Sequence, residues 1–418
     1  MERVPVEVWQ HILLNVMEPD DWPIFATSCT PYTFLNFMAL WQCHNSPHVR
    51  YLIQRGTLRL VCRAWNEFVL FTRHRWLPLH VRSQTIKELD LDSTTTSRAK
   101  GGVGPIERLS TVIHSKEFVT PVLAWASHIL KRPASQSPLR IYILQLHSTP
   151  MQGYNPFDDL LVGTTSTHDP ECNTNTTLRL LTIAAMPGID ISISLAQISC
   201  TFTGLRSLFL YDVKTTPQRT LTLAHLEVLF VYSSRLELET LQQSMEKWDT
   251  PALRHVYLGD LRTPLTGVLD RCLGRYAHQI ESLILSKFYT YPPSLLDLPS
   301  AFWARFTALR LLGLDYWTLK REEWSGWSIV PPPTHPCRYL VCRAIDPIYQ
   351  TVRDIRSRWT WHDGVRFVAA HNNAGPYHGY RTSGTYTLVK NIHDPSYDDQ
   401  AIQTGGAVKT LYGSPLDF

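Results

Sequence analysis

The chain has 418 residues, of which 44% are hydrophobic and 18% are charged. This length exceeds one small core and this composition excludes a wholly disordered chain, so we expect two or three domains or one long repeat array. The net charge is +4 and the lysines and arginines are scattered along the sequence, so we expect no nucleic-acid partner.

The first predicted element is an amphipathic helix over residues 4–17. Pro5 suits its first turn, where a missing N–H costs nothing. Apolar side chains then follow in two adjacent rows at i, i+4 spacing. The rows contain Val4, Val8 and Ile12, and Trp9, Leu13 and Val16.

A second amphipathic helix is predicted over residues 52–71. Its apolar residues also form two rows, Leu58, Val61 and Trp65, and Leu60, Ala64 and Phe68. The two helices are separated by residues 18–56, which are rich in Pro, Cys, His and aromatic residues. We therefore interpret residues 1–80 as a helical segment that carries an inserted loop.

The rest of the chain divides by composition into three parts. Residues 81–110 contain runs of hydroxyl residues and glycines, which indicates a linker. Residues 111–370 contain the recurring apolar pattern described next. Residues 371–418 are rich in Gly, Asn, Tyr and Asp, and we expect a C-terminal cap or a partly disordered tail.

The pattern apolar-x-x-apolar-x-apolar recurs along residues 111–370 at nearly constant spacing. Successive copies begin at residues 178, 205, 226, 253, 280, 309, 337 and 365, so the intervals are 21 to 29 residues. A further copy at Ile141, Leu144 and Leu146 lies outside this spacing. Leucine-rich repeats have periods of about 20–29 residues and this same triplet core.

Helical spacing follows several of these triplets. Leu265 to Tyr276 is one such segment, and Leu238 to Trp248 and Val352 to Trp359 are others. Each unit is therefore predicted to be a short strand and a helix. A single unit cannot bury its own apolar face, so we expect the units to stack into an irregular α/β solenoid. The alternative is an ordinary α/β domain in which strands and helices also alternate.

The N-terminal segments resemble an F-box. The opening match is Val4-Pro5-Val6-Glu7-Val8-Trp9 followed by Ile12-Leu13. The closing match is Leu58-Arg59-Leu60-Val61-Cys62-Arg63-Ala64-Trp65-Asn66 followed by Phe68. With degenerate leucine-rich repeats behind it, the chain is similar to the F-box proteins expanded in mushroom-forming fungi. It departs from them in Val4, which replaces a leucine, and in the long insertion between the two halves.

This resemblance implies a docking role. An F-box binds a Skp-family adaptor, and through it a cullin, in an SCF-type ubiquitin ligase; helix-in-groove contacts with apolar anchors would carry the binding. By position, the implied adaptor-contact or hairpin-core residues are Pro5, Val8, Trp9, Ile12, Leu13, Leu60, Val61, Cys62 and Trp65. The alternative is that both helices only cap the first repeat.

Signatures of catalysis and of cofactor binding are not recognisable in the sequence. It contains no P-loop, GxGxxG, HExxH or GxSxG motif. Cys29, Cys43, His44 and His48 can bind zinc as residue types, but their spacing fits no strong zinc signature, so a structural loop is favoured. We therefore expect no enzyme, no cofactor and no metal.

The location of the protein follows from what the sequence lacks. The eight cysteines form no CxxC pair, no apolar stretch reaches 18 residues, and the first residues do not resemble a secretory signal. We expect a cytoplasmic or nuclear protein without a membrane partner. The predicted function is substrate recognition in a ubiquitin ligase, with an unknown target on the repeats; the alternative is a stand-alone repeat scaffold.

Overall fold

A computed structural model of the chain describes part of its 418 residues. The described residues are 8–9, 13, 57–58, 60–65, 67, 76–81, 107–130, 139–148, 176–186, 189, 191–215, 221–232, 245–259, 273–285, 301–315, 330–344, 365–372 and 384–389. They fall into two compact units, the first reaching Ala252 and the second beginning at Leu253.

The first unit contains a parallel sheet of six strands. Its strands are β1 (Trp76–Val81), β2 (Arg108–Ile113), β3 (Ile141–Leu146), β4 (Leu180–Ala185), β6 (Ser207–Tyr211) and β8 (Val228–Tyr232). Each strand pairs in parallel with the strand that follows it in this series. Two short strands, β5 (Ser192–Ile193) and β7 (Lys214–Thr215), form a separate parallel pair.

Short helical segments lie between the described strands. A 3-10 turn (Lys116–Phe118) leads into helix α1 (Val119–Leu130), and helix α2 (Leu195–Thr201) follows β5. Helix α2 begins at Ser194, whose Oγ accepts a hydrogen bond from the Gln197 amide at 3.3 Å and so satisfies one free donor of the first turn. Helix α3 (Phe302–Arg305) lies in the second unit.

The second unit contains the remaining strands. They are β9 (His255–Gly259), β10 (Ser282–Leu285), β11 (Leu311–Asp315), β12 (Tyr339–Ala344), β13 (Arg366–Asn372) and β14 (Gly384–Val389). Strands β9 to β13 pair in parallel in chain order, and β14 then pairs antiparallel to β13. The parallel strands confirm the α/β part of the predicted fold.

The strands are held one repeat apart because equivalent residues of successive triplets are direct pairing partners. Leu283 pairs with Val256 on one side and with Leu312 on the other, and all three are buried. The triplet side chains therefore form one apolar layer in each unit. At about 25 cal/mol per Å² of apolar area removed from water, this layer is the main favourable contribution to folding.

The early triplet was assigned to the wrong phase. The predicted positions were Ile141, Leu144 and Leu146, but the register pairs Tyr142 with Leu181 and Leu144 with Ile183. The residues equivalent to Leu178, Leu181 and Ile183 are thus Leu139, Tyr142 and Leu144. The error arose because the sequence fits the triplet spacing twice, once at Leu139, Tyr142 and Leu144 and once at Ile141, Leu144 and Leu146. The two assignments differ by two residues, so they place Leu144 on the same face of the strand and only the pairing with β4 distinguishes them.

Other boundaries also differ from the predicted ones. Residues 1–80 were predicted to be helical, but they include β1, which pairs with β2 across the predicted linker. The helix that was predicted to end at Tyr276 is instead a turn from Leu273 onward. The helix that was predicted to end at Trp248 is helical at Met245 and becomes a turn after it. The sequences of these segments have helical spacing, yet short segments form helices only where packing supports them.

Both faces of the central strands are buried, not the triplet face alone. In β6, Ser207 and Phe209 are 1% and 0% exposed on the face opposite to the triplet, and in β8 Val228 and Phe230 are 1% and 2% exposed. The rings of Phe209 and Phe230 pack at a centroid distance of 5.6 Å. Parallel strands buried on both faces read as continuous apolar runs, and these strands do.

A close approach of two strands in the second unit requires a glycine. A Cβ atom added to Gly313 would lie 2.8 Å from Cγ1 and 3.0 Å from Cγ2 of Ile284, its pairing partner in β10. Any larger residue at position 313 must displace that side chain. Overpacking of this kind costs about 1–3 kcal/mol.

His335 is held as a neutral imidazole in the second unit. Its Nε2 lies 3.1 Å from the Phe306 carbonyl oxygen, and its Nδ1 accepts the Cys337 amide at 3.1 Å, so the single proton belongs on Nε2. Burial lowers the pKa of His335, with a further lowering from Arg338. Burial also raises the pKa of the neighbouring Cys337 thiol to about 12, which keeps that thiol protonated.

Among the described residues, no helix is long and apolar enough to cross a membrane.

We predict that Gly313→Ala lowers the free energy of unfolding by about 1–3 kcal/mol, because its methyl group meets Ile284. Ile284→Ala removes both contacting methyl and methylene carbons, so the double variant should lose less than the sum of the two single variants. Urea unfolding of the four proteins measures this coupling. Strictly additive losses would show that the contact is relieved elsewhere.

We also predict that stability falls as the pH is lowered from 7.5 to 5.5 and that His335 contributes to this fall. The pKa of His335 is lowered in the folded chain, so below about pH 6.5 the unfolded chain takes up a proton that the folded chain refuses. In urea unfolding, His335→Asn should show a smaller pH dependence than the wild type. The exposed His278→Asn is the matched control, and an equal change in that variant would contradict the prediction.

Candidate docking site

Four large apolar side chains stand out on the surface of the described chain. They are Val8, Trp9, Leu60 and Val61, with exposed fractions of 46%, 41%, 87% and 55%. Every exposed large hydrophobic side chain in the part of the chain that the structure describes belongs to this group. Among the side chains that the structure describes, large exposed apolar residues are therefore confined to the two N-terminal segments.

The two N-terminal segments are in contact through their tryptophans. The rings of Trp9 and Trp65 lie 5.9 Å apart at an angle of 48°. A tilted aromatic pair of this kind contributes about 0.5–1.5 kcal/mol beyond its buried area. It brings the segment that carries Val8 beside the segment that carries Leu60 and Val61, although 56 positions separate the two tryptophans.

The second predicted helix is interrupted where its most exposed residues lie. Residues 57–58, 63–65 and 67 are helical, but Leu60 and Val61 form a turn and Cys62 is irregular. The Leu60 amide donates to the Thr57 carbonyl at 3.1 Å and the Val61 amide donates to the Leu58 carbonyl at 3.2 Å. These are three-residue spacings, and they end the helix before the β-branched Val61 enters it.

The predicted adaptor-contact residues therefore divide into three groups. Val8, Trp9, Leu60, Val61 and Cys62 are exposed, and Trp65 is half-buried against Trp9. Leu13 is buried, with 3% of its side chain exposed. Pro5 and Ile12 lie outside the described residues, as do the insertion over residues 18–56 and the cysteines and histidines within it.

Around these exposed residues, the structure describes one ion pair and no candidate metal site. Arg63 donates from Nε to Glu67 Oε1 at 2.9 Å, and both side chains are largely in water. Within the described ranges, no three residues of His, Cys, Asp or Glu lie together as a metal site. The arrangement is therefore suited to binding another apolar surface; covering a side chain such as Leu60 would contribute about 1.5–3 kcal/mol.

A second surface feature was not anticipated from the sequence. The residue after the first apolar position of each triplet is charged, and the register places these residues side by side at the N-terminal ends of the strands. In the first unit this charged row contains Glu107, Arg140, Arg179, Arg206 and Glu227. In the sequence, an arginine or a glutamate follows the first apolar residue of each triplet. Counting basic residues along the chain does not reveal this row, because only the fold aligns these residues.

Comparisons with known proteins do not identify the chain. No protein-family model matches it, and no curated protein matches it either.

We predict that Leu60→Ser changes the free energy of unfolding by no more than about 0.5 kcal/mol, since 87% of the side chain is already in water. Leu13→Ala should instead cost about 2–5 kcal/mol, because Leu13 is buried. Urea unfolding of both variants provides the comparison. Similar losses in the two would mean that Leu60 is covered by the rest of the chain and is not free to bind a partner.

Proposed function

We propose that this protein is a substrate-recognition subunit of a cullin–RING ubiquitin ligase. In this proposal the N-terminal segments form an F-box-like unit that docks a Skp-family adaptor, and through it a cullin. The strands that follow form a degenerate leucine-rich-repeat solenoid that presents a target protein. The protein performs no bond chemistry and needs no cofactor.

The observation that carries the proposal is where the exposed apolar side chains lie. Val8, Trp9, Leu60 and Val61 all fall on the short stretches that match the F-box pattern, and the Trp9–Trp65 contact joins those stretches. An isolated protein gains nothing from keeping these side chains in water. A contiguous exposed apolar surface is typical of a protein-binding site, and tryptophan is enriched among the residues that dominate such interfaces.

The repeat part of the proposal is supported by strand order and register. Within each unit the strands are neighbours in chain order, and residues at the same triplet position pair directly. Connections of this kind repeat one supersecondary unit, as leucine-rich repeats do. An ordinary doubly wound domain would reverse its strand order at a switch point instead.

The proposed mechanism is proximity. A target held on the repeats is brought close to the ubiquitin donor carried elsewhere on the ligase, which raises the effective concentration of the reacting groups. Rigid parallel pairing suits this role because it fixes the distance between the two binding surfaces within a unit. Chemical specificity then depends on which protein the surface recognises.

A stand-alone repeat scaffold is the second candidate function. The burial of Leu13 favours it, because at least one predicted docking residue packs on this chain and not on a partner. In this case the N-terminal segments only cover the first strands. The two candidates differ in whether an adaptor binds.

The test is co-purification of the full chain with a Skp-family adaptor. We expect the wild-type protein to retain the adaptor, and Leu60→Ser/Val61→Ser to weaken binding at least about tenfold through loss of apolar anchors. Trp65→Ala is a less direct probe because Trp65 also contacts Trp9.

The matched control is Arg63→Gln/Glu67→Gln, which alters an exposed ion pair on the same stretch without removing apolar surface. It should bind the adaptor like the wild type. Failure of the wild-type chain to retain any Skp-family adaptor would reject the ligase role and leave the scaffold.

A further inference from the structure

The faces of the central strands are buried and cannot bind a ligand, whereas residues at the N-terminal ends of these strands are accessible. Both faces of β6 and β8 are buried at their first positions. The charged row, in contrast, lies one residue before the strands, and Arg140 is exposed while Arg179 and Arg206 are partly exposed. This edge is therefore an accessible surface that repeats from strand to strand in the first unit.

Backbone hydrogen bonds fix the spacing of the charged row. The Arg179 amide donates to the Arg140 carbonyl at 2.7 Å, and the Arg206 amide donates to the Arg179 carbonyl at 2.8 Å. The row continues at both ends through the backbone. The Arg140 amide donates to the Glu107 carbonyl, and the Glu227 amide donates to the Arg206 carbonyl, each at 2.8 Å. Adjacent strands lie about 4.8 Å apart, so the three arginines span about 10 Å, which is the length of about three extended residues.

One guanidinium of the row is anchored in place. Arg179 donates from Nη1 to the Gly204 carbonyl at 2.8 Å. Gly204 has room for this contact because it lacks a side chain; a Cβ there would lie 2.9 Å from Arg179 Nη1 and closer still to the Thr176 carbonyl. The other donors of the Arg179 fork stay available for a ligand, and a positioned guanidinium loses little freedom when it binds one.

Among the described residues, one of these three arginines has an acidic partner and the other two do not. Glu227 lies 3.6 Å from Arg206, but no carboxylate among the described residues pairs with Arg140 or Arg179. Burial, together with the charges of Arg206 and Arg140, lowers the pKa of Arg179. The second unit differs, because there Glu281 lies between Arg254 and Arg310 and contacts both, at 2.6 and 4.0 Å.

We propose that Arg140, Arg179 and Arg206 bind a short acidic segment of a protein partner. Three guanidinium groups at strand spacing match a run of about three to five carboxylates on an extended peptide. A nucleic acid fits less well, because Glu107 and Glu227 end the positive run on both sides and a phosphate backbone needs a longer basic stripe. The assignment of this partner as a ubiquitination target rests on the proposed function; the binding itself does not.

The experiment measures binding of a fluorescein-labelled peptide of five glutamates to the full chain by fluorescence anisotropy at low salt. We expect the peptide to bind and Arg140→Gln/Arg179→Gln to weaken binding at least about fivefold through the loss of two charge-assisted contacts. Higher salt should weaken the wild-type binding, because the contacts are close to solvent.

Lys116→Gln is the matched control. It makes the same kind of charge change in the same unit, but Lys116 follows β2 and so lies beyond the opposite ends of the strands. This variant should bind the peptide within about twofold of the wild type. An equal loss in Lys116→Gln, or no binding by the wild type, would overturn the proposal.

Two further measurements keep the result interpretable. Arg140→Glu reverses a charge on an exposed side chain, so we expect this variant to fold, and its urea unfolding curve checks this before its peptide binding is compared. A labelled ten-nucleotide thymidine strand that bound as tightly as the peptide, and lost binding in the same variants, would show a general polyanion surface and reject the acidic peptide. Adaptor co-purification with Arg140→Glu should be unchanged, so failure of the ligase role and failure of this site are separable.

Discussion

The register between parallel strands one repeat apart is the constraint on which the described structure depends. Each strand pairs in register with the equivalent residues of the strands beside it, as Leu283 does with Val256 and Leu312. That pairing determines which side chains meet: leucines contact leucines, Phe209 packs on Phe230, and Tyr211 stacks on Tyr232 at 4.6 Å. It also aligns the charged row, whose residues have no other reason to be neighbours.

Strand positions could be predicted from the sequence because the three apolar offsets recur. Triplets beginning at residues 178, 205, 226, 253, 280, 309 and 337 all lie at the starts of strands. The phase of β3 could not be predicted, because two triplets that lie two residues apart fit its sequence equally well and only the pairing with β4 distinguishes them. The connecting helices could not be placed either, since helical spacing at Leu273 to Tyr276 yields a turn when packing does not favour a helix.

The candidate docking site was predictable as a set of residues but not as a surface. The F-box resemblance selected Val8, Trp9, Leu60 and Val61, and helical periodicity placed Trp9 and Leu13 on one face. In the structure Trp9 is exposed and Leu13 is buried, and the turn at Leu60 and Val61 directs these residues into water. A helical pattern assumes an unbroken helix, so the periodicity of the sequence could not anticipate the turn at Leu60 and Val61.

The antiparallel pairing of β14 has a consequence for association between molecules. A parallel series of strands ends in a row of unpaired backbone groups that can extend into the strand of another chain. Because β14 pairs with β13, the backbone groups on that side of β13 are satisfied within the chain and are closed to a strand of another molecule. Association of a second chain at this position would have to use β14 instead.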